Sequence, residues 1–467
     1  MTSPVRFPLH LALRLSPVLA AVATLLPHAL TADAAPKFHR DLISSIGSES
    51  ATNGGGGKVV TFAGKTHVVW QDSTKQGYFN RVRSLDHASG EWSDTFTLNR
   101  GRDNHARPVI TVDHNGYLHA LMSGHNSPVT YRRSVRPNDS SEWTDPEPAG
   151  SGTYPIVVCG PDDTLYLVMR SPNRWNGVDL YFKPPDQPWK LRHKLVRRDE
   201  QYPGYGAFHS GLAFSPDGTL HIVVDFYEGK GVMDRRGLHQ AVCTMRSRDD
   251  GQTWQKADGT PVTLPARPED MDVLARDTAP RRHEPMPPPV VLAQGCIAVD
   301  SQGTPHVLYI SHLEKPGQLI HATVDGQGRW KQRPIEGLEK AYPGMRPVRC
   351  RGALSIAEDD RFYALLDLYP LNVGWTDDGK PTRNMRLKPE CRRRLAWLIS
   401  GDACESFTAA PALEEGAIYN QPNLERPTGV NHIPAERRPP FIYFDGVSRY
   451  PEKNEILQNN VFLVRPE

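Results

Sequence analysis

Ser247-Arg248-Asp249-Asp250-Gly251-Gln252-Thr253-Trp254 fits the Asp-box pattern S-x-D-x-G-x-x-W. In such a box the Asp and Gly shape a hairpin turn and the Trp packs between neighbouring sheets, so the motif argues fold and not activity. Just upstream, Leu212 to Val224 reads as strand, polar turn (Pro216-Asp217-Gly218) and strand. The same unit occurs at Val59 to Trp70, Val109 to Met122, Ile156 to Met169, Cys296 to Tyr309 and Leu354 to Leu366. Pro440 to Gly446 together with Asn460 to Val464 supplies a further copy.

Between the copies a tryptophan recurs (Trp92, Trp143, Trp189, Trp254, Trp330) at intervals of roughly 45 to 75 residues, the length of one four-stranded sheet with variable outer loops. No segment holds an apolar stripe at helical period for more than a few turns. The expected fold is all-β: a β-propeller of seven blades with four antiparallel strands each, six and eight being the alternatives. The segment Phe38 to Ile46 is expected to close the ring by pairing with the last blade.

Residues 1–35 read as an export signal: Arg6 is followed by a mostly apolar run from Leu9 to Leu26 and by Ala32-Asp33-Ala34, a small-x-small cleavage pattern. Arg14 and Pro17 interrupt the run, which suits a cleaved segment better than a membrane span. The expectation is a secreted or periplasmic protein with a single domain over 36–467, no membrane anchor and a monomeric state. Removing the leader lowers the formal charge from +2 to +1, which excludes whole-molecule attraction to nucleic acid and leaves acidic ligands to a local basic patch. Six cysteines without a C-x-x-C pair are too few for a disulfide scaffold. Cys391 and Cys404 flank a strand-like stretch, so a bridge between them is one reading.

Ligands of propellers gather where loops of several blades converge, so polar residues at strand ends carry the functional expectation. His105 and His125, twenty residues apart, bracket the hairpin Val109 to Met122, and a hairpin of that length returns its ends to one rim. Tyr154 and Arg170 bracket the next hairpin in the same way. Imidazoles exchange protons near neutral pH, and a guanidinium pairs with a carboxylate through two parallel hydrogen bonds. Turn capping or metal binding by the histidines, packing by Tyr154 and an interblade ion pair of Arg170 are the structural alternatives. His67, His119, His221 and His306 recur at matching places in the second strands of their hairpins, which marks them as core residues. His105, His125, Tyr154 and Arg170 do not recur, as a site grafted onto a repeat would not.

The residues Asn104-His105, Gly124-His125, Tyr154-Pro155 and Arg170 after Tyr166-Leu167-Val168-Met169 together resemble the seven-bladed propeller polysaccharide lyases that depolymerise ulvan, within the wider BNR-repeat family. The resemblance extends through the Asp box to about Asp300 and weakens over the last third, where Arg- and Pro-rich segments such as Arg281 to Pro285 and Arg392 to Arg394 intervene. It implies that two histidines and a tyrosine surround the scission point while an arginine holds a uronate carboxylate. β-Elimination needs that carboxylate neutralised, a base for the C5 proton and an acid for the departing O4. Arg170 suits the first role; Tyr154 or His125 takes the proton, and His105 shares that task or stabilises the enolate. Asn104, Asn126, Tyr205 and His209 are expected to bind substrate, the last two from the loop Gln201 to His209 before the next hairpin.

The chemistry requires no cofactor. A structural zinc or calcium ion is expected as an accessory, with His209, Cys243, Cys296 and His312 as the ligand set. The leading expectation is a secreted lyase for a uronate-containing acidic polysaccharide, ulvan first. A sialidase-like or rhamnosyl-glucuronate hydrolase and a non-catalytic glycan-binding propeller are the alternatives.

Overall fold

Strict alternation builds the sheets. In the strand that ends at Cys159, Ile156 and Val158 face one way and join Tyr166, Val168, Leu220 and Trp254 in one apolar cluster, while Val157 and Cys159 face the other way and join Leu121, Tyr131 and Leu167 in another. Each strand thus serves two cores, one on each face of its sheet, which is why these stretches read as continuous apolar runs. Removing such surface from water on both faces contributes about 25 cal/mol per Å2.

The computed structural model describes residues 36–105, 107–172, 177–230, 239–277, 291–314, 317–371, 393–411, 413, 419–447 and 455–467. The expected leader and Cys391 of the expected Cys391–Cys404 bridge lie outside them. Within them every anticipated hairpin forms by antiparallel pairing: Val59–Phe62 with Lys65–Thr74, Val109–Val112 with Leu118–Met122, and Glu147–Cys159 with Leu165–Arg170. The series continues with His209–Phe214 and Leu220–Glu228, Ile297–Val299 and Pro305–Ser311, Leu354–Ile356 and Phe362–Pro370, and Phe441–Asp445 and Asn459–Pro466. The long strand Glu147–Cys159 pairs through its first residues with Ser127–Arg133 and through its last with Leu165–Arg170, so it links two consecutive sheets.

The first strands of successive sheets lie side by side. Glu147–Cys159 abuts His209–Phe214, which abuts Ile297–Val299, which abuts Leu354–Ile356. The fold is a β-propeller. As expected from the sequence, its ends close on each other: Phe38–Gly47 pairs with Asn459–Pro466, Phe38 opposite Pro466 and Leu42 opposite Phe462. Among the described residues the α-helix is confined to Leu338–Ala341, and no helix is long and apolar enough to cross a membrane.

The Asp box forms as expected: Ser247 Oγ donates to Asp249 Oδ1 (2.8 Å), and the Gly251 amide donates to Ser247 Oγ (2.9 Å). A second copy of this turn, not apparent in the sequence, lies at Ser400 to Phe407. Ser400 Oγ donates to Asp402 Oδ1 (2.6 Å) and the Cys404 amide to Ser400 Oγ (3.0 Å). Here Cys404 takes the glycine's place, with φ 66° against 78° for Gly251, and Phe407 takes the tryptophan's.

The centre of the ring is filled by chain. At Gly56 a Cβ would lie 2.4 Å from Val109 Cγ1 and 2.9 Å from the Pro155 carbonyl, so only glycine can run this close to two first strands. Below it, the Thr428 carbonyl accepts the Cys159 amide (2.7 Å) and the Thr111 hydroxyl (2.7 Å). The four recurring histidines are buried, as anticipated. His67 joins Ser84 and Asn138, His119 joins Tyr131 and Asp113, and His306 joins His321 and Asp300.

Burial pulls the His221 imidazole down from 6.5 to about 4. Between those values the unfolded chain takes up a proton that the folded chain refuses, so this residue's stabilisation is lost as pH falls. The stability of the wild type relative to His221→Gln, followed by denaturant unfolding, will fall from pH 6.5 to about 4 and then level off. A constant difference would contradict it.

Candidate active site

A first strand begins, and its partner ends, at the same rim of the ring. His105 precedes Val109–Val112, His125 follows Leu118–Met122, Tyr154 and Arg170 lie at the corresponding ends of the next hairpin, and His209 starts the one after. The structure brings all five together. The rings of His105 and His125 are 4.9 Å apart, His105 and Tyr154 6.2 Å, and Tyr154 stacks on His209 at 4.8 Å with planes 19° apart.

Asp103 organises the two histidines. Its Oδ1 accepts the His105 amide (2.7 Å) and lies 3.3 Å from His105 Nδ1, while Oδ2 accepts the His125 amide (3.0 Å). Burial alone would raise this carboxyl, but the hydrogen bonds from the His105 side chain and the two amides outweigh it and hold the group well below the usual carboxylate range. His125 is the exposed member of the pair. Desolvation, and then the charges of Arg170 and His105, push its imidazole below 6.5, so it is a neutral proton acceptor at pH 7.

Tyr154 adopts φ 62°, a left-handed conformation that for a bulky residue costs on the order of 1–3 kcal/mol. The strand bulges there, Arg170 pairing with Thr153 where regular register would run on from Val168 and Ile156. Asn126, at φ 45°, is held in the same unusual region. Such strain persists where surrounding contacts over-determine it. The Arg170 guanidinium lies 5.0 Å from the Tyr154 ring and donates through Nη2 to Asn126 Oδ1 (3.1 Å) and Thr153 Oγ1 (3.2 Å). Arg170 is only 2% exposed, so in this conformation it backs the site and does not offer a free fork to solvent.

Of the other expected residues, Asn104 is buried beside the Glu49 carboxyl, which burial raises despite hydrogen bonds from its own backbone, Tyr78 and Asn104. Tyr205 meets Arg170 and packs edge-on to Tyr227 at 6.0 Å. Desolvation, followed by the neighbouring Tyr154, raises its hydroxyl.

The metal expectation is not met by its ligand set. Among the described residues no three His, Cys, Asp or Glu side chains gather as a metal site. Cys243 packs in the apolar cluster around Val224 and Trp254, Cys296 in a different cluster with Cys350, and His312 Nδ1 accepts the Gly317 amide (2.7 Å). His209 is spent on Tyr154. The four residue types are right for zinc, but the fold assigns each to a separate packing task.

Arg107, one of several arginines that the sequence leaves open to a sialidase-like triad, lies 8% exposed with its guanidinium 4.5 Å from the Tyr154 ring. Its amide donates to the His105 carbonyl (2.7 Å), a tight local turn that the neighbouring Pro108 signals. A cavity of about 430 Å3 opens at the other end of the ring, walled by hairpin turns at His114, Pro161, Pro216, Ser301 and Glu358. It holds none of the converging groups.

Residues 65–337, more than half of the chain, match the BNR repeat-containing family, and the chain belongs to that family. Among characterised relatives it is 24% identical over 340 residues to an ulvan lyase, PL25, of Pseudoalteromonas sp. (strain PLSV), covering 64% of this chain and 66% of that one. It is likewise 24% identical over 315 residues to an ulvan lyase of Nonlabens ulvanivorans, covering 56% and 63%. The chain thus matches somewhat under two thirds of these relatives' length. A PL25 ulvan lyase structure superposes with a TM-score of 0.64 at 15% identity, covering 91% of this chain and 96% of that one. Its complex with -[GlcA(1-4)Rha3S]- superposes at 0.63. At that identity the likeness establishes the fold.

The His125 environment is directly measurable. Replacing Arg170 by Gln removes the largest charge that depresses its imidazole, so the His125 titration midpoint, read by NMR of labelled histidine, will rise toward 6.5. An unchanged midpoint would contradict the charge effect of Arg170 on His125.

Proposed function

We propose that this protein is a polysaccharide lyase that cleaves a 4-linked uronate in an acidic polysaccharide, ulvan first, by β-elimination. The observation that carries the reading is the convergence of His105, His125, Tyr154 and Arg170 at one rim, with Tyr154 held in a strained backbone conformation among cationic groups. The named activity of the similar lyases supports it.

In the proposed reaction the neutral, exposed imidazole of His125 takes the C5 proton. The freed electron pair forms the C4=C5 double bond, the C4–O4 bond breaks, and the Tyr154 hydroxyl gives its proton to O4. Imidazolium and phenolate then reset by proton exchange. Negative charge that spreads onto the uronate carboxylate during proton removal is stabilised by the field of Arg107 and Arg170, strengthened by their burial. His105, oriented by Asp103, donates to the enolate, and the stacked pair of Tyr154 and His209 offers a sugar-binding surface beside Tyr205.

The finer architecture belongs to the same proposal. The strands sort in sequence into seven antiparallel groups, two pairs of which merge into larger sheets, and this supports a seven-bladed ring. The charged, apolar and small-residue order of residues 1–35 supports export.

Purified protein mixed with ulvan will generate the ultraviolet absorbance of a conjugated unsaturated uronate. His125→Ala and Tyr154→Phe will each lower kcat by about 100-fold or more while leaving the circular dichroism spectrum unchanged. Wild-type rates in both folded variants would remove these residues from the mechanism.

A further inference from the structure

Outside the site, one cysteine pair stands apart from the other cysteines. Among the described residues Cys159 sits near Asp163, Cys243 packs in an apolar core and the Cys404 amide closes its Asp-box turn. Cys296 and Cys350 instead touch. The Cys296 thiol contacts the Cys350 side chain, reaches the Cys350 carbonyl and accepts the Ala353 amide at 3.0 Å. The Cys350 thiol in turn points at the carbonyls of Ala293 (3.3 Å), Leu292 (3.4 Å) and Leu308 (3.7 Å). Both side chains are at most 1% exposed. Fifty-four residues separate them in the chain, and they come from two consecutive sheets, just before Ile297–Val299 and just after Met345–Arg349.

We propose that Cys296 and Cys350 close to an intrachain disulfide when the chain folds under oxidising conditions, stapling two neighbouring sheets of the ring at their inner edge. The oxidant is an external disulfide, such as oxidised glutathione or a disulfide-donating oxidoreductase. One cysteine thiolate attacks a sulfur of that disulfide and expels the first thiolate. The second cysteine thiolate then attacks the resulting mixed disulfide at the protein sulfur and expels the other. Two protein thiols are oxidised by two electrons, the external disulfide is reduced to two thiols, and these receive the two protons. Because the finished pair is shut off from solvent, the exchange belongs to folding, before the sheets dock, and the completed bridge resists reduction.

The staple bears on the site through one short chain of contacts. Cys350 packs on the carbonyls of Leu292 and Ala293, and the amides of Ala293 and Gln294 hold the Asp225 carboxylate at 3.0 and 2.7 Å. Asp225 is paired in register with His209, the residue stacked on Tyr154. A bridge here constrains the unfolded chain over a long loop and also fixes the wall behind the catalytic rim.

The test needs no substrate and is independent of the lyase reading. The full chain, reduced and unfolded, is refolded in a glutathione redox buffer, alkylated under denaturing conditions and mapped by mass spectrometry. The expected result is a linked peptide pair containing Cys296 and Cys350, two further alkylation sites after reduction, and a lower melting temperature in the reduced form. Cys296→Ala, Cys350→Ala and the double variant should share that lowered temperature, because the second substitution has no bridge left to remove. Free alkylation of both thiols without reductant would overturn the proposal. So would protection released by a chelator, which would mean a bound metal, or a Cys391–Cys404 link with Cys296 and Cys350 free.

Discussion

The antiparallel pairing of Phe38–Gly47 with Asn459–Pro466 is the constraint on which the rest depends. An open stack of sheets would leave a strand edge at each end and no enclosed axis. Closure forces the first strands to converge on a common centre, and the centre is then too narrow for side chains where Gly56 passes Val109 and Pro155. Asn459, at the end of the closing pair, ties Ser48 to Val447 through its amide (3.1 and 2.9 Å), so the joint is fixed by side chain as well as backbone. From closure it also follows that the open ends of consecutive hairpins share one rim. Residues about fifty apart in sequence, such as His105 and Tyr154, become ring-to-ring neighbours without any special loop.

On that rigid frame the site is assembled by small departures from regular structure. The bulge at Thr153 and Tyr154 turns the phenol out of the strand's alternation and toward His105. Arg170 then fills the space behind it and gathers Asn126 and Thr153 through Nη2. Asp103 serves both histidines, fixing one through its ring and amide and the other through its amide alone. The outcome is a neutral imidazole and a phenol on either side of His105, with concentrated positive charge behind them, an arrangement suited to moving a proton beside a carboxylate.

Much of the fold was legible in the sequence because it is periodic. Each hairpin repeats a strand, a polar turn and a strand, and all the stretches singled out on that basis pair as expected. The second Asp-box turn was not legible, since Cys404 and Phe407 replace the glycine and tryptophan that define the pattern while Ser400 and Asp402 keep its hydrogen bonds. The convergence of His105, His125, Tyr154 and Arg170 at one rim was legible through their failure to repeat. Asp103 was not, because nothing in its local sequence separates a charge that faces the site from one that faces water. The zinc ligand set failed for a related reason: cysteine and histidine are also packing residues, and only the fold shows that Cys243 and Cys296 belong to different cores. The long polar stretches of the last third lack the alternation from which a strand can be read.

The central claim is that bond cleavage occurs by elimination at this rim. It is tested most directly by the mass of the oligosaccharides released from ulvan. The account predicts products lighter by one water than their hydrolytic counterparts, each bearing an unsaturated uronate at its new non-reducing end, and none formed by the Tyr154→Phe protein. Products that have taken up water, or polymer left intact by the folded wild type, would contradict it.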